Sequence, residues 1–451
     1  MEDIKTQVGI GNNSEYLGEI DIDDIFSYMV TRDLLEESDM QAGLYLLGNA
    51  GGIIGAGILH EIDNNYDLKG MKLNIRYLNS ATVDFKAMIK KLPEKYRKMV
   101  STITIGIKES EYMHYLELWK KKRILQAQLE KAMSSNQYDL ARQIQYELNK
   151  IKREIRAIQR KLSGSGSMID VGLNKFQESY SLIESYLREK AVEEDVHLAI
   201  GSFSGGTGSA LFIEITKLLK KINPYALRIA YGLTPFKSER RKNSLRVKNY
   251  LRSIQGTRPN VNLLIKIDPS KVSEQLAQTG GKDVNFIDLN REFGRRNAQF
   301  LLTLMLTNTA DEFSQVTQDF NDLRMIVGES SVGDINFYNN RTTNGGYMTL
   351  IDTVKQKVIP DIMKMPSRVL IFYDIPKEVT VPEVEHSNNL IMENTDATVY
   401  FGVTQRTGND KEIRMYVVAI RDDNDAVNIN DIEVEEAPEI SGIDDLSKII
   451  G

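Results

Sequence analysis

The stretch SFSGGTGSALFIEI, residues 202–215, opens with small residues and glycines and closes in an apolar run that reads as a helix. VHLAIG, residues 196–201, precedes it and reads as a short buried strand. Strand, glycine-rich turn and helix together make a place for an anion. Backbone N–H groups approach closely where no side chain intervenes, and the helix adds the favourable end of its dipole. Gly205, Gly206 and Gly208 permit the approach, while Thr207 and Ser209 add hydroxyl donors. Two further loops share this character: GNAGGIIG at 48–55 and SGSGS at 163–167. A Walker loop would need Gly-Lys-Ser/Thr after its glycines, and none of the three has it. A dinucleotide fingerprint would need a second glycine where Ala50 stands, and an acid at a strand end about 20 residues on. Asp67 falls instead in a loop. A nicotinamide enzyme is therefore the weaker reading of the glycine loops.

Outward from that stretch the chain alternates. GLYLLG (43–48), MKLNIRYLNSA (71–81), STITIGI (101–107), LRIAYGLTP (227–235) and VNLLIKID (261–268) read as strands, with helical patterns between most of them. This alternation predicts a parallel α/β sheet covered on both faces. Residues 112–162 break the rhythm with Lys, Arg, Glu and Gln around Leu and Ile at helical spacing, and SSNQ at 134–137 is a natural turn. An inserted αα-hairpin is the simplest reading, with a period too loose to require a long coiled coil. Part of it resembles the small UVR-type helical hairpin. Its basic face reads first as a solvated or partner-binding arm and only secondarily as a nucleic-acid surface. Beyond 290 come a long helical pattern (293–313) and strands at 368–375, 397–405 and 413–420. Residues 421–451 are acidic and turn-rich, which predicts a flexible tail, and the closing IDDLSKII has the look of a docking peptide.

Composition narrows the chemistry. The 451 residues carry net charge −6, no cysteine and four histidines. Thiolate catalysis, disulfides and Cys- or His-based metal clusters are therefore not expected. The acidic, polar start MEDIKTQVGIGNN is not a signal peptide, and no apolar run reaches the roughly 18 residues of a membrane span. A cytoplasmic protein without direct membrane insertion is expected.

The third glycine loop with its neighbours resembles the signature of the tubulin/FtsZ superfamily, and the likeness continues in order along the chain. LLGNAGG resembles the first nucleotide loop, and YLNSATVDF the segment that carries the family's Asn-Thr-Asp. GSGSMIDVG resembles the loop over the terminal phosphate, GLTPFKSERRK the bacterial TKPFxFEGRK segment, and FGRRNAQFLL the start of the central helix. TQDFNDLRMIVGES resembles the loop that completes a neighbour's active site. The likeness covers roughly 43–107 and 162–422 and is closer to the prokaryotic FtsZ branch. The hairpin has no counterpart there and looks like an insertion.

The resemblance implies a Rossmann-like parallel-sheet GTPase domain over 43–292 with the hairpin 112–162 inserted. It implies a central helix and catalytic loop over 293–324, and a second α/β domain with a mixed sheet over 325–422. An N-terminal extension (1–42) and an acidic tail (423–451) flank them. It implies GTP or GDP with Mg²⁺, head-to-tail self-assembly and hydrolysis at the subunit interface. An adaptor protein on the tail and a partner for the hairpin are also implied, in cell division or a related filament role. Carried over residue by residue, Gly48, Gly51 and Gly52 cradle one side of the nucleotide, with Asn79 beside them. Gly164, Ser165 and Gly166 cover the terminal phosphate. Gly205, Gly206, Thr207, Gly208 and Ser209 bind phosphates, Glu239 matches the Glu of the TKPFxFEGRK segment as a further nucleotide contact, and Asn297 reads the base. Asp319 and Asp322 position water in the adjoining subunit, where a carboxylate beside a γ-phosphate can orient the nucleophile. The sequence departs from the pattern at Ile54, Ala81, Asn243, Pro269 and Thr317. These departures sustain a second expectation: a nucleotide-binding but catalytically weak scaffold acting through hairpin and tail.

Overall fold

The computed structural model describes residues 40–65, 71–161, 164–240, 244–280, 285, 289–290, 292–296, 327–328, 330–342, 345–362, 366–406 and 411–421. The N-terminal extension, most of the central helix, the catalytic loop and the tail lie outside these residues.

The alternation seen in the sequence builds β1 (Met40–Leu47), α1 (Gly48–Asn65), β2 (Met71–Asn79), α2 (Thr82–Lys91) and β3 (Val100–Thr104). The hairpin arms α3 (Glu109–Ser134) and α4 (Tyr138–Lys161) follow, then α5 (Ile169–Glu178) and α6 (Tyr180–Lys190). Next come β4 (Val196–Ser202), α7 (Thr207–Ile222), β5 (Leu227–Leu233), α8 (Leu245–Thr257), β6 (Leu263–Ile267) and α9 (Pro269–Gly280). The C-terminal part holds β7 (Ser331–Asn339), β8 (Arg368–Pro376), α10 (Val381–Thr395), β9 (Thr398–Arg406) and β10 (Arg414–Arg421).

All ten strands join one sheet in the order β3-β2-β1-β4-β5-β6-β7-β10-β8-β9. The pairings from β4 through β7 are parallel, as are β1 with β4, β2 with β3 and β8 with β9; β10 runs antiparallel to both β7 and β8. The mixed sheet expected for the C-terminal part is thus present. It continues the first sheet through a short parallel pairing, Leu263 with Ser331 to Lys266 with Asp334. β7 was not among the strands expected from sequence, because Gly333, Asp334 and Asn336 interrupt its apolar run.

Burial explains the strand composition. Val196 to Gly201 of β4 are all buried, since helices cover both faces and no alternation with polar residues is possible. The main core gathers Phe203, Phe212, Ile215, Ile254 and Leu264, with the rings of Phe203 and Phe212 at 4.3 Å between centroids. Truncating Phe212 to Ala would leave a cavity and cost about 3–5 kcal/mol.

Chain order reverses between β1 and β4. The chain proceeds outward to β2 and β3 on one side, and to β5 and β6 on the other. The loops leaving β1 and β4 therefore diverge, and a crevice opens at their C-terminal ends, where open α/β sheets bind ligands.

The hairpin is more regular than its sequence suggested. Tyr115, Leu118, Leu125, Leu129 and Ala132 of α3 face Ala141, Ile144, Leu148, Ile151, Ile155 and Ile158 of α4 as a separate core. Their spacing alternates threes and fours, the seam of an antiparallel coiled coil. The α3 seam position between Leu118 and Leu125 is Lys122, whose ammonium lies 3.9 Å from the Trp119 ring centroid. That cation and the alanines at the tip blur the apolar period read from sequence. Asn136 turns the chain with φ of 56°.

Candidate functional site

Three loops meet at the β1–β4 crevice. α7 begins at Thr207 as soon as the glycine turn ends, so its first backbone N–H groups have no intrahelical acceptor. Thr207 Oγ1 lies 2.9 Å from Ser80 Oγ, which follows β2, and 3.0 Å from Ser165 Oγ in the 164–167 loop. Ser80 and Ser165 are buried, while Thr207 is partly exposed. Three hydroxyls offer three protons, and two bonds among them use two. The cluster therefore retains donor capacity beside a helix N-terminus, which favours an oxyanion.

The glycines divide by role. Gly48 has φ of +67°, and a Cβ there would lie 3.0 Å from Gly208 N, so this turn must be glycine. A Cβ on Gly206 would overlap the Ser165 hydroxyl and approach Met168 N at 2.8 Å, so close apposition of the second and third loops requires glycine. Gly51 and Gly52 are packing positions instead: a Cβ would press Gly51 on the backbone of Leu46 and Ile200, and Gly52 on the Tyr77 ring. A Cβ on Gly205 would only graze Arg246 at 4.0 Å, and one on Gly164 would meet nothing, so both face open space. Gly166 has φ of +59° and is exposed.

Several expected ligand groups are engaged within the chain. Asn79 is buried; its Nδ2 donates to Tyr77 Oη and Asp84 Oδ2 at 2.9 Å each, and its Oδ1 accepts from Ser80 N at 2.8 Å. It shapes the turn that presents Ser80. Burial pushes the Tyr77 phenol up to about 12, with the Asn79 bond opposing, so Tyr77 stays neutral. Ser209 Oγ, fully buried, donates inward to the carbonyls of Phe203 and Gly205, each at 2.6 Å, and tightens the glycine turn. Glu239 accepts from Phe236 N and pairs with Arg246 Nε at 3.3 Å. Asn297, Asp319 and Asp322 lie outside the described residues, as do Asn243 and Thr317. The central helix is visible at its start, where Gly294 packs on Gly57 of α1 and Glu292 pairs with Arg295 and Arg296. Burial alone would raise the Glu292 carboxyl, but the two guanidinium groups outweigh it and hold it down at about 2.

Two residues that sequence reasoning passed over complete the site, both on α8. Asn249, 1% exposed, donates through Nδ2 to Ser167 O at 2.6 Å and Gly205 O at 2.9 Å, bridging the second and third loops. Arg246 reaches Ser204 O at 3.3 Å and sets a guanidinium beside Gly205. It is the described cation at the glycine turn, three residues beyond the Asn243 that interrupts the expected basic pattern. No motif marks either residue; only the helix register brings them to the loops.

The hairpin is rooted at the same edge. It leaves after β3, where Ser179 Oγ accepts from Gly106 N and Ile107 N at 3.0 Å each. α4 ends at Lys161, three residues before Gly164 of the 164–167 loop.

No protein-family model matches the chain, and no curated protein sequence matches it. Solved structures do. An empty FtsZ dimer from M. jannaschii superposes with TM-score 0.57 at 15% identity, over 89% of this chain and 93% of that one. CetZ2 from Haloferax volcanii, a GTPγS-bound protofilament, gives 0.56 at 12% identity over 85% and 95%. CetZ1 from the same organism, a GDP-bound monomer, gives 0.55 at 14% identity over 87% and 98%. The chain has the FtsZ/tubulin-like fold. Among the described residues no helix is long and apolar enough to cross a membrane.

Proposed function

We propose that this chain is a cytoplasmic FtsZ/tubulin-like GTPase that assembles head to tail and hydrolyses GTP where one subunit meets the next. The observation that carries the reading is the junction of three loops at Thr207, in the crevice where chain order reverses. Similar folds are known as a GTPγS-bound protofilament and a GDP-bound monomer. In this reading the α7 N-terminus and the Ser80, Ser165 and Thr207 hydroxyls hold the phosphates, with Gly48, Gly205 and Gly206 clearing the approach. Arg246 offsets phosphate charge. Gly164 and Gly166 lie over the terminal phosphate, and Asn297 meets the base. Mg²⁺, when bound with the nucleotide, supplies charge neutralisation on the phosphate oxygens. Asp319 and Asp322 orient water for the neighbouring subunit's phosphate. The domain division follows the sequence: nucleotide domain 43–292, central helix and catalytic loop 293–324, C-terminal domain 325–422, and a partner-recruiting tail 423–451. Cell division or a related filament task is the role.

Light scattering and phosphate release, followed together with GTP and Mg²⁺ over a range of protein concentrations, test this. Both signals rising together above a threshold concentration are expected. A release rate per subunit that stays constant with concentration would sink the assembly-coupled mechanism.

One observation favours a second reading, a nucleotide-binding scaffold with little hydrolysis. Ala81 stands where the family carries a carboxylate, and neighbouring Asp84 is engaged by Asn79. Scattering without phosphate release would select it.

A further inference from the structure

Charge is distributed unevenly along this chain. Residues 422–451 carry ten carboxylates and one lysine, net −9, and residues 1–39 carry eleven carboxylates and two basic residues, also net −9. Against a whole-chain charge of −6, that leaves residues 40–421 at +12. The hairpin, 109–161, holds +5 of it.

On α4 the side turned away from the coiled-coil seam carries Arg142, Tyr146, Lys150 and Arg153, one exposed ladder along the helix. None of its three cations has a carboxylate partner among the described residues, and Tyr146 is 76% exposed between them. The outward side of α3 adds Lys120 and Arg123 beside Ile124, itself 57% exposed. A solvated helix face normally balances both signs of charge. Here exposed Glu117, Glu130 and Asp139 are outnumbered by Lys120, Arg123, Arg142, Lys150, Arg153 and Arg156, with Tyr146 and Ile124 interleaved.

We propose that this outward hairpin face is the docking site of the chain's own acidic C-terminal segment, residues 422–451. The segment's chemistry matches the face. Its ten carboxylates precede its single basic residue, Lys448, and Ile432, Val434 and Ile440 alternate with acids as Tyr146 and Ile124 alternate with cations. The N-terminal segment, by contrast, is interrupted by Lys5 and Arg32. Thirty residues reach at most about 100 Å when extended, against about 39 Å for the length of α3. Tethering raises the effective concentration of the segment above that of any free polyanion, so it competes with nucleic acid for the same cations. α4 ends three residues before Gly164, the start of the loop whose Ser165 contacts Thr207. The inference does not depend on GTP hydrolysis and survives if the chain proves to be a scaffold.

Zero-length carbodiimide coupling of the full chain, read by peptide mass spectrometry, tests the proposal. Amide links from Lys120, Lys150 or Lys152 to Glu433, Glu435 or Glu436 are expected. Their yield should fall about tenfold in the double variant Arg142→Glu/Arg153→Glu, because two attractive contacts become repulsive. Molar salt should abolish them in the unmodified chain, a control that needs no variant. Links to carboxylates of residues 1–39 instead, or no hairpin link at all, would overturn the proposal. So would their loss on adding a labelled single-stranded oligonucleotide that binds the full chain at physiological salt, which would make the face a nucleic-acid site.

Discussion

Two polar clusters stand on the same sheet and are built to opposite specifications. Toward the start of β4, Glu194 is ringed by Arg76 Nη1 at 2.5 Å, Tyr45 Oη at 2.7 Å and Asn74 Nδ2 at 3.1 Å, with His197 Nε2 at 3.5 Å. Arg76 also donates to Lys190 O at 2.8 Å. One cation meets one anion, Arg76, Glu194 and His197 are each 3% exposed or less, and of the buried polar atoms here only Arg76 Nε and His197 Nδ1 lack a partner. At the far ends of the same strands, Ser80, Ser165 and Thr207 carry no charge and keep a proton to give. A closed cluster fixes the fold. An uncharged cluster with spare donors at a helix N-terminus has the capacity to receive a negative charge from outside.

The contrast is tested most severely at Glu194. Glu194→Ala leaves the Arg76 guanidinium buried without its anion and should cost about 3–5 kcal/mol in urea unfolding. Nucleotide affinity of the folded fraction should stay at the unsubstituted value. A loss under 1 kcal/mol would mean that water replaces the carboxylate and the cluster is not closed.

The next effect is one of pH. Burial, with help from Arg228 and Arg76, drives His197 down to about 3. An unfolded imidazole takes its proton near pH 6.5, so between about 6.5 and 3 the unfolded chain binds more protons than the folded one. The stability this group contributes is complete above that window and declines as pH falls through it. The expected loss is about 2 kcal/mol between pH 6.5 and 5. His197→Gln should remove that increment from the pH profile of urea midpoints; equal slopes in both proteins would place the imidazole in contact with water.

How much of this was legible in the sequence follows from what each feature depends on. The parallel sheet, the hairpin and the glycine loops are local patterns, and each appears where the residues put it. The meeting of Thr207, Ser165 and Gly206 was readable because a close backbone approach leaves glycine and small hydroxyls as its trace. The roles of Gly51, Gly52, Asn79 and Ser209 were not. Whether a glycine faces a ligand or a neighbouring carbonyl, and whether an Asn is spent on its own turn, depends on contacts between elements far apart in the chain. Asn249 and Arg246 were missed for the same reason, since their register on α8 relative to two distant loops leaves no local mark. The Glu194 cluster was invisible because Tyr45, Arg76, Glu194 and His197 come from four separate segments.

At the open cluster the expected effects are smaller in stability and larger in binding. Thr207→Val keeps the shape of the side chain and deletes the bridging hydroxyl. It should weaken GTP binding about tenfold, roughly 1.4 kcal/mol, while unfolding shifts by about 1 kcal/mol or less. Isothermal titration and urea unfolding on one preparation separate the two. A stability loss as large as that of Glu194→Ala, with affinity intact, would make the hydroxyls a structural knot and erase the difference between the clusters.

The smallest effect is expected at Arg246, and it is the sharpest probe of where phosphate sits. The side chain is 39% exposed and already shared between Glu239 and Ser204 O, so solvent and partners screen it. Arg246→Gln keeps the length and a donor but removes the charge. The expected loss is about threefold to tenfold in affinity, under about 1.4 kcal/mol, with unfolding unchanged. Comparing GDP with GTPγS gives the direction. A guanidinium beside Gly205 that meets the terminal phosphate costs the triphosphate more than the diphosphate, whereas one that meets the inner phosphates costs both equally. Either pattern keeps Arg246 at the phosphates and locates it along them. Affinities unchanged for both nucleotides would return Arg246 to a purely internal role, holding Glu239 against the start of α8.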